Sequence, residues 1–301
     1  MRVIKYTVNN EYSNRPLLHF LKGHLKISTH IVQSLRHNYG AVIINGKPHR
    51  LVDKVFEGDT LELHLPDKNN LPPLWETDLD VIFEDDDILI INKPSGVSVH
   101  PTYNHPNGTL CNAVANYLVK TKQENCTPRA VGRLDKVTSG VMIFTKNSFS
   151  ASRLNGNLEK TYTAVARGKM EKRGTIDAPI YRPDPNKTIR AVGPEGDHAV
   201  THWRLLGYSD NNSYLEIKTE TGRTHQIRVH CAYIGHPLLG DEMYGAPVTE
   251  SLKRAALHCK SVTFNHPVTG EKLTFTADEP EDMKKEIEKA DFIVDKPDNI
   301  C

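Results

Sequence analysis

Cysteines are few in this sequence and form no recognisable pair. The 301 residues include five cysteines, which are scattered and contain no C-x-x-C motif. An odd number of isolated cysteines is typical of reduced thiols in the cytosol, so we expect neither a disulfide framework nor a zinc site. The expected location is cytoplasmic.

Long apolar runs and a large net charge are also absent. No apolar run approaches the roughly 18 residues needed to cross a membrane, and the amino terminus has no signal-peptide-like hydrophobic block. We therefore expect no membrane partner. The formal net charge of +1 argues against a protein that coats nucleic acid without specificity.

What is present is an uneven distribution of charge. Residues 14–50 contain no Asp or Glu, whereas residues 277–301 are strongly acidic. Such a bias often marks only a solvated surface, but the lack of acids over a whole small domain favours contact with RNA phosphates. The side chains expected to make this contact are Arg15, Lys22, Lys26, Arg36, Lys47 and Arg50.

The length and the turn residues predict two domains. Pro66, Pro72 and Pro73 stiffen a linker between them, and Trp75 is expected to pack against one of the two. The expected organisation is a small α/β RNA-binding domain at residues 1–65, a linker at 66–78, a larger α+β domain at 79–277 and an acidic tail at 278–301.

The small domain is predicted to begin with two helices. The first is indicated by leucines at helical spacing, and the second is expected to start after a cap at Ser28-Thr29. Strands are predicted at 41–44 and 60–65, with a turn at Asn45-Gly46 after the first of them. The leucines of the first helix are Leu17, Leu18, Leu21 and Leu25.

The larger domain is predicted to be built mostly from antiparallel strands. A hairpin is expected at residues 79–91, with Asp85, Asp86 and Asp87 as turn residues, because three adjacent acids in a tight turn cannot all point at one metal ion. The fold class is α+β, with a mixed, mostly antiparallel central sheet and peripheral helices. Further predicted elements are a helix at 110–120, strands at 203–206, 214–218 and 227–229, and an amphipathic helix through Met283 and Ile287 that either packs on this domain or frays.

Residues 129–146 combine a polar loop with a buried strand. A short apolar run at 141–144 follows Gly132-Arg133-Leu134-Asp135 and the turn Thr138-Ser139-Gly140. An acid beside a base, in a loop that leads into a core strand, can hold one carboxylate rigidly. Taken alone, these residues are more typical of a solvated ion pair.

A set of ordered motifs changes this interpretation. There are six of them in chain order, at residues 91–96, 132–140, 160–168, 221–230, 236–241 and 257–267. Together they resemble the motifs of the RluA-type pseudouridine synthases, and six ordered matches are more specific than any one of them. One position departs from the family pattern, because Gly132 stands where a His usually precedes the Arg-Leu-Asp, which removes a polar side chain but keeps the acid.

The small domain carries a second resemblance. Its two short helices, the following strand and the V-x-x-N-G-K turn at residues 42–47 look like the α-L RNA-binding module of a small-subunit ribosomal protein. In that module the basic face of the helices meets structured RNA, largely through backbone phosphates and shape. The alternative is a generic small α/β domain.

The resemblance implies an RNA pseudouridine synthase that needs no cofactor and no metal. Such an enzyme breaks the bond between uracil and ribose, rotates the base and rejoins it through carbon 5, so it needs a carboxylate at that junction. Asp135 is the candidate, as a nucleophile or as a base and electrostatic partner; the sequence leaves this choice open. Tyr162 is expected to stack on the base and move a proton at carbon 5, although a lone strand tyrosine is more often core.

Arg228 is the expected partner of Asp135. Desolvation alone would raise the pKa of the carboxylate, and a guanidinium paired two-pronged with it would keep it ionised. If residues 224–230 form a strand, alternation places Arg228 on one face and His225 and Ile227 on the other, with Ile227 packing below the site. The same alternation separates His225 from His230, which argues against a shared metal. The alternative for Arg228 is an exposed strand position.

The other substrate-binding candidates lie in the same motifs. Arg133 is expected either to insert into the RNA stack where the target uridine leaves or to form a local ion pair. Ile227 is a further candidate. Lys93, Arg223 and His225 are weaker candidates, for contact with the RNA backbone or for support of the catalytic loop.

Two rival functions differ in class from this one. A non-catalytic RNA-binding or ribosome-assembly factor would use the basic head but would have no need of Asp135, Tyr162 and Arg228 together. A methyltransferase would need a glycine-rich nucleotide loop after an early strand, and the sequence has none. Large-subunit ribosomal RNA is favoured as substrate over transfer RNA because of the additional RNA-binding module, and a monomer is the default state.

Overall fold

The computed structural model describes residues 2–65, 71–103, 105–123, 126–290 and 292–294. Pro66 of the predicted linker and residues 291 and 295–301 of the predicted acidic tail lie outside these ranges. Within the described ranges, no helix combines the length and the apolar character that crossing a membrane would require.

Residues 2–65 form a small unit of six strands and short helices. In chain order its elements are β1 (Arg2–Thr7), a 3-10 turn (Asn10–Tyr12), β2 (Arg15–Pro16), α1 (Leu17–His19), a π-helical turn (Phe20–His24), α2 (Thr29–His37), β3 (Val42–Ile44), β4 (Lys47–Pro48), β5 (Lys54–Val55) and β6 (Thr60–Leu65). The main sheet has the strand order β1-β6-β3-β4, and β2 pairs separately with β5.

Both predicted helices of this unit are present. The first is α1 continued by the π-helical turn, which together bury Leu17 and Leu21. The second, α2, begins after Ser28, whose hydroxyl accepts a hydrogen bond from the Ile31 backbone amide. Strand β1 was not predicted from the sequence; it pairs with β6 along its whole length.

The larger unit contains the remaining elements. In chain order they are β7 (Val81–Glu84), β8 (Ile88–Lys93), α3 (Leu110–Lys120), β9 (Arg129–Val131), β10 (Ser139–Thr145), α4 (Ser148–Leu154), β11 (Glu159–Arg167), β12 (Arg173–Asp177), β13 (Ile180–Tyr181), β14 (Ala191–Val192), β15 (Val200–Tyr208), β16 (Asn212–Thr219), α5 (Gln226–Tyr233), a 3-10 turn (Glu242–Tyr244), β17 (Leu257–Asn265), β18 (Lys272–Thr276), α6 (Glu281–Lys289) and β19 (Ile293–Val294).

An eleven-stranded sheet organises this unit. Its main path is β12-β15-β16-β11-β17-β10-β8-β7, with β9, β18 and β19 attached beside it. Among the described strands, β10 and β17 run parallel, and every other pair of this sheet is antiparallel. The predicted α+β class with a mixed, mostly antiparallel sheet is confirmed.

Strand β10 is buried along its whole length. Met142 and Phe144 pack in one hydrophobic cluster, which also contains residues of α3, whereas Val141 and Ile143 pack in another. Successive side chains of a strand point to opposite faces, so this pattern identifies a strand covered on both sides. The predicted core strand is confirmed, and it anchors the loop that precedes it.

The turn between β7 and β8 joins the two units. Asp85 accepts hydrogen bonds from the backbone amides of Asp87 and Ile88, as a turn residue does. Asp87 is buried and accepts hydrogen bonds from both Arg2 of β1 (2.7 and 3.1 Å) and Asn147 (2.9 Å). The predicted role of these acids in the turn is confirmed, and Asp87 adds a contact to the small unit.

The chain on either side of the larger unit packs against it. The backbone amide of Trp75 donates to the carbonyl of Asn112 in α3 (3.2 Å). At the other end, α6 buries Met283 completely in a cluster with Val165 and Leu252. The amphipathic pattern of the tail therefore marks a packed helix.

One predicted strand is wrong. Residues 227–229 lie in α5, and His225, immediately before it, has a left-handed backbone (φ 58°) that ends the extended course of the chain. The helical hydrogen bond from the Val229 amide to the His225 carbonyl (2.9 Å) replaces a strand ladder. A short segment with few apolar residues has no decisive period, and the alternation inferred for residues 224–230 does not hold.

Candidate active site

Six of the eight catalytic and substrate-binding candidates line one cleft in the larger unit. Its empty volume is about 450 Å³, including the part open to solvent. The loop between β9 and β10 forms one wall, Tyr162 of β11 lies between, and the segment leading into α5 forms the opposite wall. The lining residues used below are Arg133, Leu134, Asp135, Thr138, Tyr162, Arg223, His225 and Ile227.

Asp135 lies on the loop between β9 and β10, with 19% of its side chain exposed. The loop is closed by a hydrogen bond from the Thr138 amide to the Asp135 carbonyl (3.1 Å) and tied to the neighbouring turn by one from the Gly96 amide to the Lys136 carbonyl (2.8 Å). Leu134, next to the acid, is buried in the central cluster. The carboxylate is thus held in place while remaining accessible from the cleft.

Lys93 supports this loop from inside the protein. Its side chain is completely buried, and its ammonium group donates to the backbone carbonyls of Thr138 (2.7 Å), Pro94 (2.9 Å) and Lys136 (3.3 Å). Burial, aided by the charge of Arg254, lowers the pKa of Lys93 to about 7. Of the two roles considered for Lys93, this position fits support of the loop rather than contact with RNA.

Arg228 projects from α5 rather than from a strand, and its main partner differs from the expected one. The side chain is 6% exposed and donates two parallel hydrogen bonds to Asp241 (2.6 and 2.7 Å), whereas its nearest approach to Asp135 is 3.9 Å. Burial alone would lower the pKa of Arg228, but the hydrogen bonds and charge of Asp241, together with Asp135, raise it. The two-pronged pairing with Asp135 is therefore corrected to a two-pronged pairing with Asp241.

Asp241 was not given a role in the sequence analysis, although it ends one of the six matching motifs. It is 2% exposed and follows Gly240, which has a left-handed backbone (φ 75°) and packs against the carbonyl of Arg254 so closely that a Cβ there would lie 2.3 Å from it. The sequence feature that could have pointed to Asp241 is an acid directly after a glycine, thirteen positions beyond Arg228.

Tyr162 lies on β11 between β16 and β17, opposite Ile217 and Cys259. The side chain is 9% exposed, and its ring belongs to the central hydrophobic cluster while lining the cleft. Burial, followed by the neighbouring Cys259 and Asp135, raises the pKa of Tyr162 well above its ordinary value. The hydroxyl therefore stays protonated near neutral pH and can act as a hydrogen-bond or proton donor.

His225 joins the cleft to Tyr244. Its Nδ1 lies 2.9 Å from the Tyr244 hydroxyl, and the Arg228 guanidinium lies over the Tyr244 ring at 5.1 Å. Burial lowers the pKa of His225, which favours the neutral imidazole. Ile227 is buried in the central cluster and lines the cleft floor, in line with packing below the site.

His230 is remote from this arrangement. It is completely buried, with Nδ1 2.9 Å from the Thr201 hydroxyl and Nε2 2.9 Å from the Ala178 carbonyl. His225 and His230 therefore have separate partners, but because His225 immediately precedes α5 and His230 lies within it, strand alternation is not the reason. Within the described ranges, the group with metal-ligand spacing is Asp85, Asp87 and His266, outside the cleft.

The rim of the cleft carries exposed cations. Arg133 is hydrogen-bonded to the Thr224 hydroxyl, and within the described ranges it has no carboxylate partner. Arg223 donates to the His198 carbonyl (3.0 Å) and lies 3.3 Å from Asp197. Of the alternatives for Arg133, the local ion pair is not formed.

Comparison with known proteins finds a matching family model and relatives that are named as RNA pseudouridine synthases. Residues 87–233 match the family model described as RNA pseudouridylate synthase. The uncharacterized RNA pseudouridine synthase YhcT of Bacillus subtilis is 38% identical over 94% of this chain and 96% of its own length. The ribosomal large subunit pseudouridine synthase D of Vibrio parahaemolyticus is 39% identical over 81% of each chain, and that of Escherichia coli is 37% identical over 83% of each.

Solved structures show the same fold. The structure of human RNA pseudouridylate synthase domain containing 4 matches with a TM-score of 0.59 and 22% identity, over 72% of this chain and 95% of that one. The structure of human RNA pseudouridylate synthase domain containing 1 matches with a TM-score of 0.54 and 24% identity, over 71% and 87%.

Proposed function

Because this chain belongs to the RNA pseudouridylate synthase family and is an RNA-modifying isomerase, we propose that it converts uridines of large-subunit ribosomal RNA to pseudouridine through Asp135. The observation that carries the proposal is the position of Asp135. It is the carboxylate on a hydrogen-bonded loop of the cleft that Tyr162 also lines, and the Arg228 guanidinium lies 3.9 Å from it. Two relatives named as ribosomal large subunit pseudouridine synthase D support this choice of RNA.

In the proposed reaction, the target uridine leaves the RNA stack and enters the cleft. The Asp135 carboxylate acts at the junction of base and ribose while the carbon–nitrogen bond breaks and the base rotates, and carbon 5 then takes the place of the nitrogen. Tyr162 supports the base, and its hydroxyl gives a proton to the nitrogen released from ribose; the resulting phenolate then takes the proton from carbon 5, so that the protons balance. Arg228 keeps a positive charge 3.9 Å from the Asp135 carboxylate and attracts it electrostatically.

The amino-terminal unit supplies a second RNA contact in this proposal. Its six candidate cations are all exposed, and within the described ranges none of them forms an ion pair with a carboxylate. Such side chains are free to contact phosphates, which would add affinity without reading sequence. The proposed domains are residues 1–65 and 79–277, and the exposed cations are Arg15, Lys22, Lys26, Arg36, Lys47 and Arg50.

The deciding experiment is pseudouridine mapping of total RNA from cells that lack this protein. The cells are rescued with the wild type, with Asp135→Asn, or with Asp210→Asn, a control that removes an exposed acid between β15 and β16, outside the cleft. We expect particular large-subunit positions to lose the modification and to regain it with the wild type and the control only. Full rescue by Asp135→Asn would remove Asp135 from the reaction, and loss at transfer RNA positions alone would reassign the substrate.

A further inference from the structure

A second groove adjoins the catalytic cleft and contains an excess of arginine. It is formed by the β13–β14 hairpin and the segment leading into α5, and it has an empty volume of about 810 Å³, including open solvent. Arg133, Gly222 and Arg223 line both this groove and the cleft. The charged residues that line the groove are Arg133, Arg182, Arg190, Arg223, Glu195 and Asp197.

The arginines of the groove are oriented by neutral partners. Arg182 donates from Nε to the Lys187 carbonyl (2.8 Å), and Arg190 donates from Nη1 to the carbonyls of Thr188 (2.6 Å) and Ile189 (3.1 Å). Backbone carbonyls fix the direction of a guanidinium but do not neutralise it. Within the described ranges, Arg223 is paired with Asp197, whereas Arg133, Arg182 and Arg190 have no carboxylate partner.

The arginines of the groove also repel one another electrostatically. Arg190 is only partly exposed, and its pKa is lowered by burial, by Arg182 and by Arg133. Cations that are held close together repel one another. A bound anion removes this repulsion, so such a cluster is suited to bind an anion. Arginine is suited to phosphate because its planar group can donate two parallel hydrogen bonds.

The hairpin is connected directly to the catalytic centre. The backbone amide of Arg190 donates to the Tyr244 hydroxyl (3.0 Å), and the same hydroxyl lies 2.9 Å from His225. The ring of Tyr244 lies beneath the Arg228 guanidinium. An anion held by the hairpin would therefore lie next to a nucleotide in the cleft, because Arg133 and Arg223 line both sites.

We propose that Arg182 and Arg190, together with Arg133, bind backbone phosphates of the RNA strand that flanks the target uridine. The proposal rests on the proposed function, because it takes RNA as the substrate. Phosphate contacts of this kind fix the register of the strand without reading its bases. The groove would thereby determine which nucleotide faces Asp135, while the amino-terminal unit holds the RNA elsewhere.

The test separates binding from catalysis. Binding is measured in the Asp135→Asn background with large-subunit ribosomal RNA transcribed in vitro, so that no turnover affects the affinity. The variants are Arg182→Gln with Arg190→Gln, the charge-preserving Arg182→Lys with Arg190→Lys, and Lys272→Gln, which removes an exposed cation on β18 outside both sites. Each Kd is measured over a series of potassium chloride concentrations, and thermal melts establish that each variant is folded.

We expect the Gln pair to raise Kd at least tenfold and to reduce the slope of log Kd against log salt by about 1.4, the value for two lost phosphate contacts on single-stranded RNA. The Lys pair should retain most of the slope, and Lys272→Gln should match the parent. A Gln pair with unchanged Kd and slope would overturn the proposal. If the wild-type protein makes no pseudouridine while the Gln pair still binds RNA more weakly than the parent, the proposed function is wrong. The groove would then still be an RNA-binding site.

Discussion

Arg228 and Asp241 form a buried pair with two hydrogen bonds of 2.6 and 2.7 Å, and this pair points the guanidinium toward Asp135 without making Asp135 its main partner. The charge of Arg228 is thus largely balanced before any substrate arrives. In the proposed reaction this leaves Asp135, 3.9 Å away, free to contact the substrate, and makes Asp241 the positioning residue for Arg228.

Replacement of Asp241 by Asn should destabilise the protein. A buried Arg228 would lose its charged partner, and breaking a buried ion pair from one side costs about 3–5 kcal/mol. The free energy of unfolding, measured by urea titration, should fall by an amount in this range, and pseudouridine formation should fall with it. The matched control is Glu216→Gln, which breaks the more exposed pair with Arg204 (3.2 Å) and should cost less than about 1 kcal/mol. Equal effects of the two changes would contradict the positioning role.

Replacement of Tyr162 by Phe should separate chemistry from binding. The ring stays in the core, so the melting temperature and the affinity for RNA should change little. The hydroxyl, kept protonated by the raised pKa of Tyr162, is lost, and the single-turnover rate should fall about 10²-fold or more. Tyr117→Phe removes a hydroxyl bonded to Glu84 outside the cleft and serves as the control. A Tyr162→Phe enzyme with the wild-type rate would leave the tyrosine only a packing role.

Lys93 should make the stability of the protein depend on pH. The folded protein holds the pKa of this amine at about 7, whereas in the unfolded chain it lies near ~10.4. Between these values the unfolded chain binds a proton that the folded protein does not, so stability rises with pH, by at most about 1.4 kcal/mol per pH unit. Urea titrations at pH 7, 8 and 9 should show this rise in the wild type.

Lys93→Met should flatten that rise, because the titrating amine is gone. Its stability should also be lower at every pH, because three carbonyls of the loop lose their donor. Lys272→Met, at an exposed position of β18, should keep the wild-type slope. If the free energy of unfolding changed with pH in parallel for the wild type and Lys93→Met, the Lys93 amine would not titrate in this pH range.

Gly140→Ala should be among the most damaging small changes in the chain. Gly140 lies where β10 runs parallel to β17, with a backbone φ of 113°, and a Cβ there would lie 2.2 Å from the Cys259 carbonyl oxygen. Gly270, in a turn, also has positive φ (76°) but has open space around it. Gly270→Ala should cost about 1 kcal/mol from backbone strain alone, whereas Gly140→Ala should cost several times more or yield no soluble protein. Similar melting temperatures would show that β17 can move aside.

The sequence correctly predicted those parts of the site that depend only on neighbouring residues in the chain. Asp135 lies on a loop that leads into an apolar run, and Tyr162 belongs to a strand; both features follow from short-range pattern. The element carrying Arg228 was predicted incorrectly because a short segment with few apolar residues has no decisive period, and the left-handed turn at His225 has no glycine to signal it.

Contacts between residues that are far apart in the chain could not be predicted from the sequence. The role of Lys93 depends on carbonyls 43 and 45 positions away, which only the pairing of β8 with β10 brings near. The partnership of Arg228 with Asp241 likewise depends on how α5 packs on the following turn. The basic groove combines Arg133 with Arg182 and Arg190, and no spacing rule connects these segments.

The position of β17 has a consequence for the synthesis of the protein. This strand, residues 257–265, lies between β10 and β11 and pairs with both. A nascent chain ending before residue 257 therefore holds its acid and its tyrosine on two half-sheets that no strand pairing joins, and β10 and β11 each keep one open edge. Until β17 leaves the ribosome the sheet behind the cleft is incomplete, and these two open edges are where a stalled chain would aggregate or recruit a chaperone.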